Sequence, residues 1–215
     1  MSRIADVWQA YRAWLEEHAT GAFKNLAPPA TPATLESLGA ELGLALPHEA
    51  LELLALNDGQ ISSEGCCALP GLEYLSSERI LREWRMWRDL REQETEDDLA
   101  SLDDHCRSVD GRVLDVYSHA GWIPLFKDGW RSDYMGLDLA PLGLGFVGQV
   151  INFGRDENAH FAAFSSLSAF LEFWLEEARA GRCRVLPAEN GSSEWLEHTG
   201  GNSIEVLRAH RDPIS

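Results

Sequence analysis

The sequence predicts an α+β fold, a largely antiparallel sheet of about five to six strands packed with N-terminal helices and a C-terminal helix. Two observations carry this. Helical periodicity dominates the first ninety residues, and strand-like runs joined by short turns then follow one another before a last helical stretch. Connections this short permit antiparallel pairing but not the crossovers of a doubly wound sheet.

The elements follow in order. Residues 3–19 place Ile4, Val7, Trp8, Tyr11, Trp14 and Leu15 at three-and-four spacing, an amphipathic helix. After the break at Ala27–Ala30, Thr31 caps a helix with Pro32 at its first position, Leu35, Leu38 and Leu42 inward, and Gly43 as its stop. Pro47 opens a third helix that ends at Asn57-Asp58-Gly59. Ser76 or Ser77 caps a fourth, running to about residue 93 with Ile80, Leu81, Trp84, Trp87 and Leu90 buried. Its arginines at 79, 82, 85, 88 and 91 recur every three residues, so they spiral around the helix instead of forming one basic face. Glu78–Arg82 and Arg88–Glu92 are spaced to pair.

From Glu92 to Asp104 the chain holds seven acids and no basic residue, which predicts an exposed loop. Strand-like runs follow at Val113–Tyr117, Trp122–Phe126, Tyr134–Leu139, Phe146–Phe153 and His160–Phe164. Ser165 or Ser166 then caps a helix carrying Leu167, Phe170, Leu171, Trp174 and Leu175, which Gly181 stops. The reading is one domain over 1–215, with residues 187–215 a Gly- and Ser-rich irregular tail holding one helical turn near Trp195.

Composition bounds the function. The 215 residues are 45% hydrophobic and 25% charged, ordinary for globular protein, but the net charge is -17. Such a chain repels nucleic acid and anionic membrane, and favours a basic partner or solubility alone. Only Lys24 and Lys127 are lysines. No run approaches the ~18 apolar residues of a membrane span, and no export signal is seen at the start, which together point to a cytoplasmic protein. Cys66, Cys67, Cys106 and Cys183 then read as reduced thiols. A zinc site from Cys66, Cys67, His105 and Cys106 matches no finger spacing.

Chemical motifs fail on context. Gly143–Gly148 spells G-x-G-x-x-G, yet a strand-like stretch closed by Gly154 follows, where a dinucleotide site needs a helix. It reads as a turn feeding a strand. His48 and Glu52 sit four apart, without the second histidine of a metalloprotease helix or a third ligand. Asp128, Asp133 and Asp138 recur every five residues, unlike the alternating ligands of a calcium loop, and Asp138 is expected to make structural hydrogen bonds at a strand end. No catalytic residues, metal or cofactor are expected.

Three stretches carry a resemblance: "LPHEALELLALNDGQ" at 46–60, "WIPLFKDGWRSDYMGLDLAP" at 122–141 and "GFVGQVINFGRDENAHFAAFSSLSAFLEFWLEEA" at 145–178. In order and spacing they resemble the SUKH superfamily, which includes fungal cell-wall assembly regulators and bacterial immunity proteins. The match covers about residues 28–186. It implies a single α+β domain that binds proteins without catalysis, and for bacterial members the neutralisation of a toxin by direct binding. Two departures bear on the partner. Arg131-Ser132-Asp133 stands where many members have Gly-Asp, and the region 76–112 is longer than usual. The expected function is an immunity protein that binds a basic toxin domain, the alternative a cell-wall assembly or signalling module. The expected contacts are Glu94, Glu96, Asp97 and Asp98, then Asp128 and Asp133; oligomeric state is left open.

Overall fold

A computed structural model of the chain describes residues 2–129, 132–187 and 194–210. Its first helix, α1 (Arg3–His18), starts where Ser2 Oγ accepts from the Ala5 amide, and buries Ile4, Val7, Trp8, Tyr11 and Leu15. A short α2 (Thr20–Lys24) follows. In α3 (Pro32–Leu42), Thr31 accepts from the Thr34 amide at one end and Gly43 takes φ +64° at the other. α4 (His48–Leu56) ends at Asn57, whose side chain accepts from Trp8 Nε1 at 3.1 Å and donates to Ala27 O at 2.6 Å. That one amide ties α1, α4 and the loop before α3 together.

The sheet has five strands in the order β1-β3-β4-β5-β7, antiparallel throughout: β1 (Leu72–Tyr74), β3 (Trp122–Asp128), β4 (Asp133–Asp138), β5 (Gln149–Gly154) and β7 (Ala162–Phe164). Successive strand residues face opposite sides. Phe126 packs against Phe170 of α7 (Leu167–Arg179), with ring centres 5.1 Å apart, and its cross-strand partner Tyr74 meets Trp8 of α1 at 5.6 Å. The next residue, Lys127, points the other way, as does its partner Tyr134, which meets Trp87 of α5 (Ser77–Gln93) at 6.2 Å. Helices therefore cover both faces, α1 and α7 on one and α5 on the other. This is why the strands read as apolar runs rather than alternating ones.

Several expectations need correction. Glu92–Asp104 is not a loop. Thr95 accepts from the Asp98 amide at 3.2 Å and opens α6 (Glu96–Asp103), with Glu96, Asp97 and Asp98 in its first turn, where the helix dipole favours negative charge. Charge density alone therefore misread a well-capped helix. Val113–Tyr117 is not a strand. Its backbone amides go to side chains, Val113 N to Ser108 Oγ at 3.2 Å and Tyr117 N to Asp103 at 2.7 Å, which leaves no ladder to join. The strand expected from Phe146 begins at Gln149, because Gly145 N bonds back to Leu142 O at 2.7 Å and Gly148 has φ +88°. The last expected strand divides into β6 (Ala159–His160), paired in parallel with β2 (Arg107–Ser108), and β7.

Nor are the described residues beyond 187 irregular. β8 (Cys183–Pro187) and β9 (Glu194–His198) form an antiparallel hairpin, and α8 (Ser203–His210) buries Ile204 and Leu207. Asn202 opens α8 by accepting from Ile204 N at 2.9 Å, while its Nδ2 donates to Asp128 at 2.8 Å. Glycine and serine disguised the segment, but Leu196 opposite Val185 supplies its core contact.

Candidate binding surface

The acids expected to meet a partner fall into two groups. Glu94 and the first turn of α6 are exposed, and α6 buries none of its residues. The helix is anchored from behind by Asp103, which takes Arg91 Nη1 at 3.2 Å and the Tyr117 amide at 2.7 Å. Glu94, Glu96, Asp97 and Asp98 are therefore presented together on a fixed scaffold. Asp128 and Asp133 are not. They are 2% and 0% exposed. Asp128 receives Asn202, and Asp133 receives the Asp156 amide at 2.9 Å. Carboxylates at the end of one strand and the start of the next accept from amides brought in by other segments, so this pair is corrected from a contact surface to structural groups. Asp138 behaves as expected. Fully buried, it accepts from Ala140 N and from Gln149 Nε2, both at 2.9 Å, and burial holds its carboxyl above the usual range.

Other candidate chemistry is dispersed or internally paired. His48 and Glu52 lie 3.5 Å apart, the histidine exposed and the glutamate half-buried. Cys66 sits near Ala22 and Leu196, whereas Cys106 directs its thiol to Leu102 O. Among the described residues no three His, Cys, Asp or Glu side chains are grouped to hold a metal. A cavity of about 360 Å³ is lined by Arg79, Lys127 and Arg155, but each cation has an acid: Glu73 at 2.7 Å, Glu83 at 3.2 Å and Asp156 at 3.1 Å. A second, of about 300 Å³, lies between the β8–β9 hairpin and the start of α8, with Arg184 and Glu197 on its wall joined as an ion pair.

Sequence reasoning missed the buried polar groups. Glu83 of α5 is 5% exposed and accepts from Tyr134 Oη at 2.7 Å, Arg82 at 3.0 Å and Lys127 at 3.2 Å. Burial alone would raise its carboxyl, yet Tyr134, Arg82 and Lys127 together hold it below the usual carboxylate range. Glu177 of α7 takes both arms of Arg182, at 2.6 and 2.5 Å, and His198 of β9 at 2.8 Å. Arg182 first, then His198, lower it to about 2 against the opposing effect of burial. A signal existed for Glu83: three residues after Ile80 and one before Trp84, it falls on the helix's inward stripe.

The comparisons with known proteins place this architecture. The chain is 31% identical over 211 residues to the "Cell wall biosynthesis/cell cycle regulator smi1" of Schizosaccharomyces pombe, with 95% of this chain and 39% of that protein aligned. It is 26% identical to the "Glucan synthesis regulatory protein" of Neurospora crassa, covering 83% of this chain and 39% of the relative. It is 24% identical to the "Cell wall assembly regulator SMI1" of Saccharomyces cerevisiae, covering 81% and 40%. The chain thus spans about two fifths of the length of these relatives. The sequence profile of the SMI1 / KNR4 family (SUKH-1) matches residues 29–172, from the loop before α3 into α7, and the chain belongs to that family.

Proposed function

We infer that the chain is a non-catalytic protein-binding module that regulates cell-wall assembly. The observation that carries this is the similarity to the Schizosaccharomyces pombe regulator across 95% of the chain. It corrects the immunity-protein expectation: the relatives are named for cell-wall biosynthesis, glucan synthesis and cell-wall assembly in fungi, which fits the regulatory alternative. The pairing of Glu83, Glu177 and the cavity cations with structural partners supports a role without catalysis. The four exposed acids around the start of α6 are assigned to a basic partner, whose encounter they would speed by long-range attraction. No helix among the described residues is long and apolar enough to cross a membrane; a cytoplasmic location belongs to the proposal.

The test is a segment exchange in Schizosaccharomyces pombe. This chain replaces the matching part of the regulator, and cell-wall glucan content is measured against the wild-type and deletion strains. Glucan restored towards wild type is the expected result. A chimaera present at normal abundance with glucan at the deletion level would overturn the inference.

A further inference from the structure

The G-x-G-x-x-G stretch holds no nucleotide-binding context, but with Leu142 just before it, it holds four of the eight exposed large apolar side chains among the described residues. Leu144 is 66% exposed, Phe146 59%, Val147 71% and Leu142 39%. Val109, 44% exposed, lies two residues before Gly111, and Leu144 Cδ1 is 3.7 Å from where a Cβ on Gly111 would stand. Isolated exposed apolar residues need no explanation; a cluster marks a contact surface. No charged residue occurs from Leu139 to Gly154, in a chain that is 25% charged.

Nor is the cluster a by-product of loose chain. Gln149, fully buried, accepts from Phe146 N at 3.1 Å and donates to Arg112 O and to Asp138, both at 2.9 Å. Leu142 N also bonds Arg112 O at 2.9 Å, and Gly148 N bonds Asp138 O at 2.7 Å. Gly145 packs so closely that a Cβ would lie 2.6 Å from Arg112 O. The backbone is clipped down by buried partners while the apolar side chains point out, so little ordering remains to oppose binding.

We propose that Leu142, Leu144, Phe146 and Val147, with Val109 beside them, form a docking knob for a partner protein that presents an apolar face bordered by lysine and arginine. Charge selects this occupant. A second copy brings another -17 against the first, and an anionic bilayer repels both. The segment from Asp103 to Asp115, which carries Val109, holds four acids against Arg107 and Arg112, and it continues from the exposed acids of α6. The knob deepens the protein-binding reading above and rests on it.

The test uses the full chain and three synthetic amphipathic helical peptides with one leucine face and a polar face of lysine, glutamine or glutamate. Binding is read by fluorescence anisotropy at low and near-physiological salt. Leu144→Ser and Phe146→Ser are combined in one variant, and a second carries Val147→Ser; unchanged urea midpoints are expected because all three side chains are exposed. The lysine-faced peptide should bind saturably, weaken as salt rises, and bind the double variant at least about tenfold more weakly, as expected for anchor residues. The glutamine peptide should bind more weakly and the glutamate peptide not at all. Four results would overturn the knob: no saturable binding of the lysine peptide, equal binding to wild type and both variants, a wild-type dimer in sedimentation that the double variant abolishes, or Phe146-dependent binding to phosphatidylcholine vesicles. A failed peptide titration beside restored glucan in yeast removes the knob alone; the reverse pair removes the regulatory reading alone.

Discussion

Glu83 gives a quantitative test of how α5 is held to the sheet. Its carboxylate is 5% exposed and joins Tyr134 of β4 at 2.7 Å, Lys127 of β3 at 3.2 Å and Arg82 at 3.0 Å. Glu83→Gln keeps an acceptor for Tyr134 but makes that bond a neutral one and removes the ion pairs with Lys127 and Arg82. Hydrogen bonds to charged groups contribute about 1.5–3 kcal/mol and neutral ones about 0.5–1.5, so the expected loss is about 1–2 kcal/mol. Glu83→Ala leaves Tyr134 and Lys127 without this partner. Breaking a buried pair costs about 3–5 kcal/mol, and Lys127 retains a quarter of its exposure and the Tyr134 ring at 5.5 Å, which sets the expectation near 3 kcal/mol. Urea unfolding at pH 7 measures both, and the same series in a Lys127→Met background measures the coupling. A loss below about 1 kcal/mol for Glu83→Ala, or strict additivity with Lys127→Met, would refute the reasoning. Because the folded-state carboxyl is held low, this stabilisation is present above the unfolded value and fades as pH falls below it.

Three further outcomes follow from the same packing. Leu137, 1% exposed between Ile123 and Val150, should cost about 2–5 kcal/mol as Leu137→Ala, read from the urea midpoint. Glu177, held at about 2 by Arg182 and His198, contributes stability that is complete above the ordinary carboxylate value of 4.5 and is lost as pH falls towards 2; Glu177→Gln should flatten acid unfolding across that window. Burial raises Cys66 and Cys106 to about 11, and Cys67 and Cys183 to about 12, so a thiol reagent at pH 7.5 should label all four only as fast as the protein unfolds.

What the sequence made legible was local. The caps at Thr31, Ser76 and Ser166 act within three residues of the amides they serve, and the apolar stripes of α1, α5 and α7 depend only on helical period. The illegible parts depend on particular side-chain partners that a pattern of residue types does not specify. Val113–Tyr117 loses its ladder because Asp103 and Ser108 claim its amides. The β8–β9 hairpin pairs Val185 with Leu196 across a Gly- and Ser-rich connection that hid both strands, and α8 rests on Asn202 meeting Asp128, 74 residues away. The surface divides the same way. Exposure of Glu94, Glu96, Asp97 and Asp98 follows from charge density, whereas burial of Asp128 and Asp133 follows from the close of the sheet around them. The apolar knob was visible as a glycine motif, but its outward side chains follow from Gln149, which pins the turn from inside.

The most direct measurement of whether the chain works by its surface or by chemistry is glucan content in the Schizosaccharomyces pombe exchange strain carrying two variants. One neutralises Glu94, Glu96, Asp97 and Asp98 to Gln or Asn together with Phe146→Ser. The other is Glu197→Gln, which removes the carboxylate from the cavity between the β8–β9 hairpin and α8. With both variants at wild-type abundance, glucan should fall to the deletion level in the first and stay at the exchange-strain level in the second. The opposite pattern, retained glucan with the altered surface and lost glucan with the altered cavity, would contradict a non-catalytic binding module.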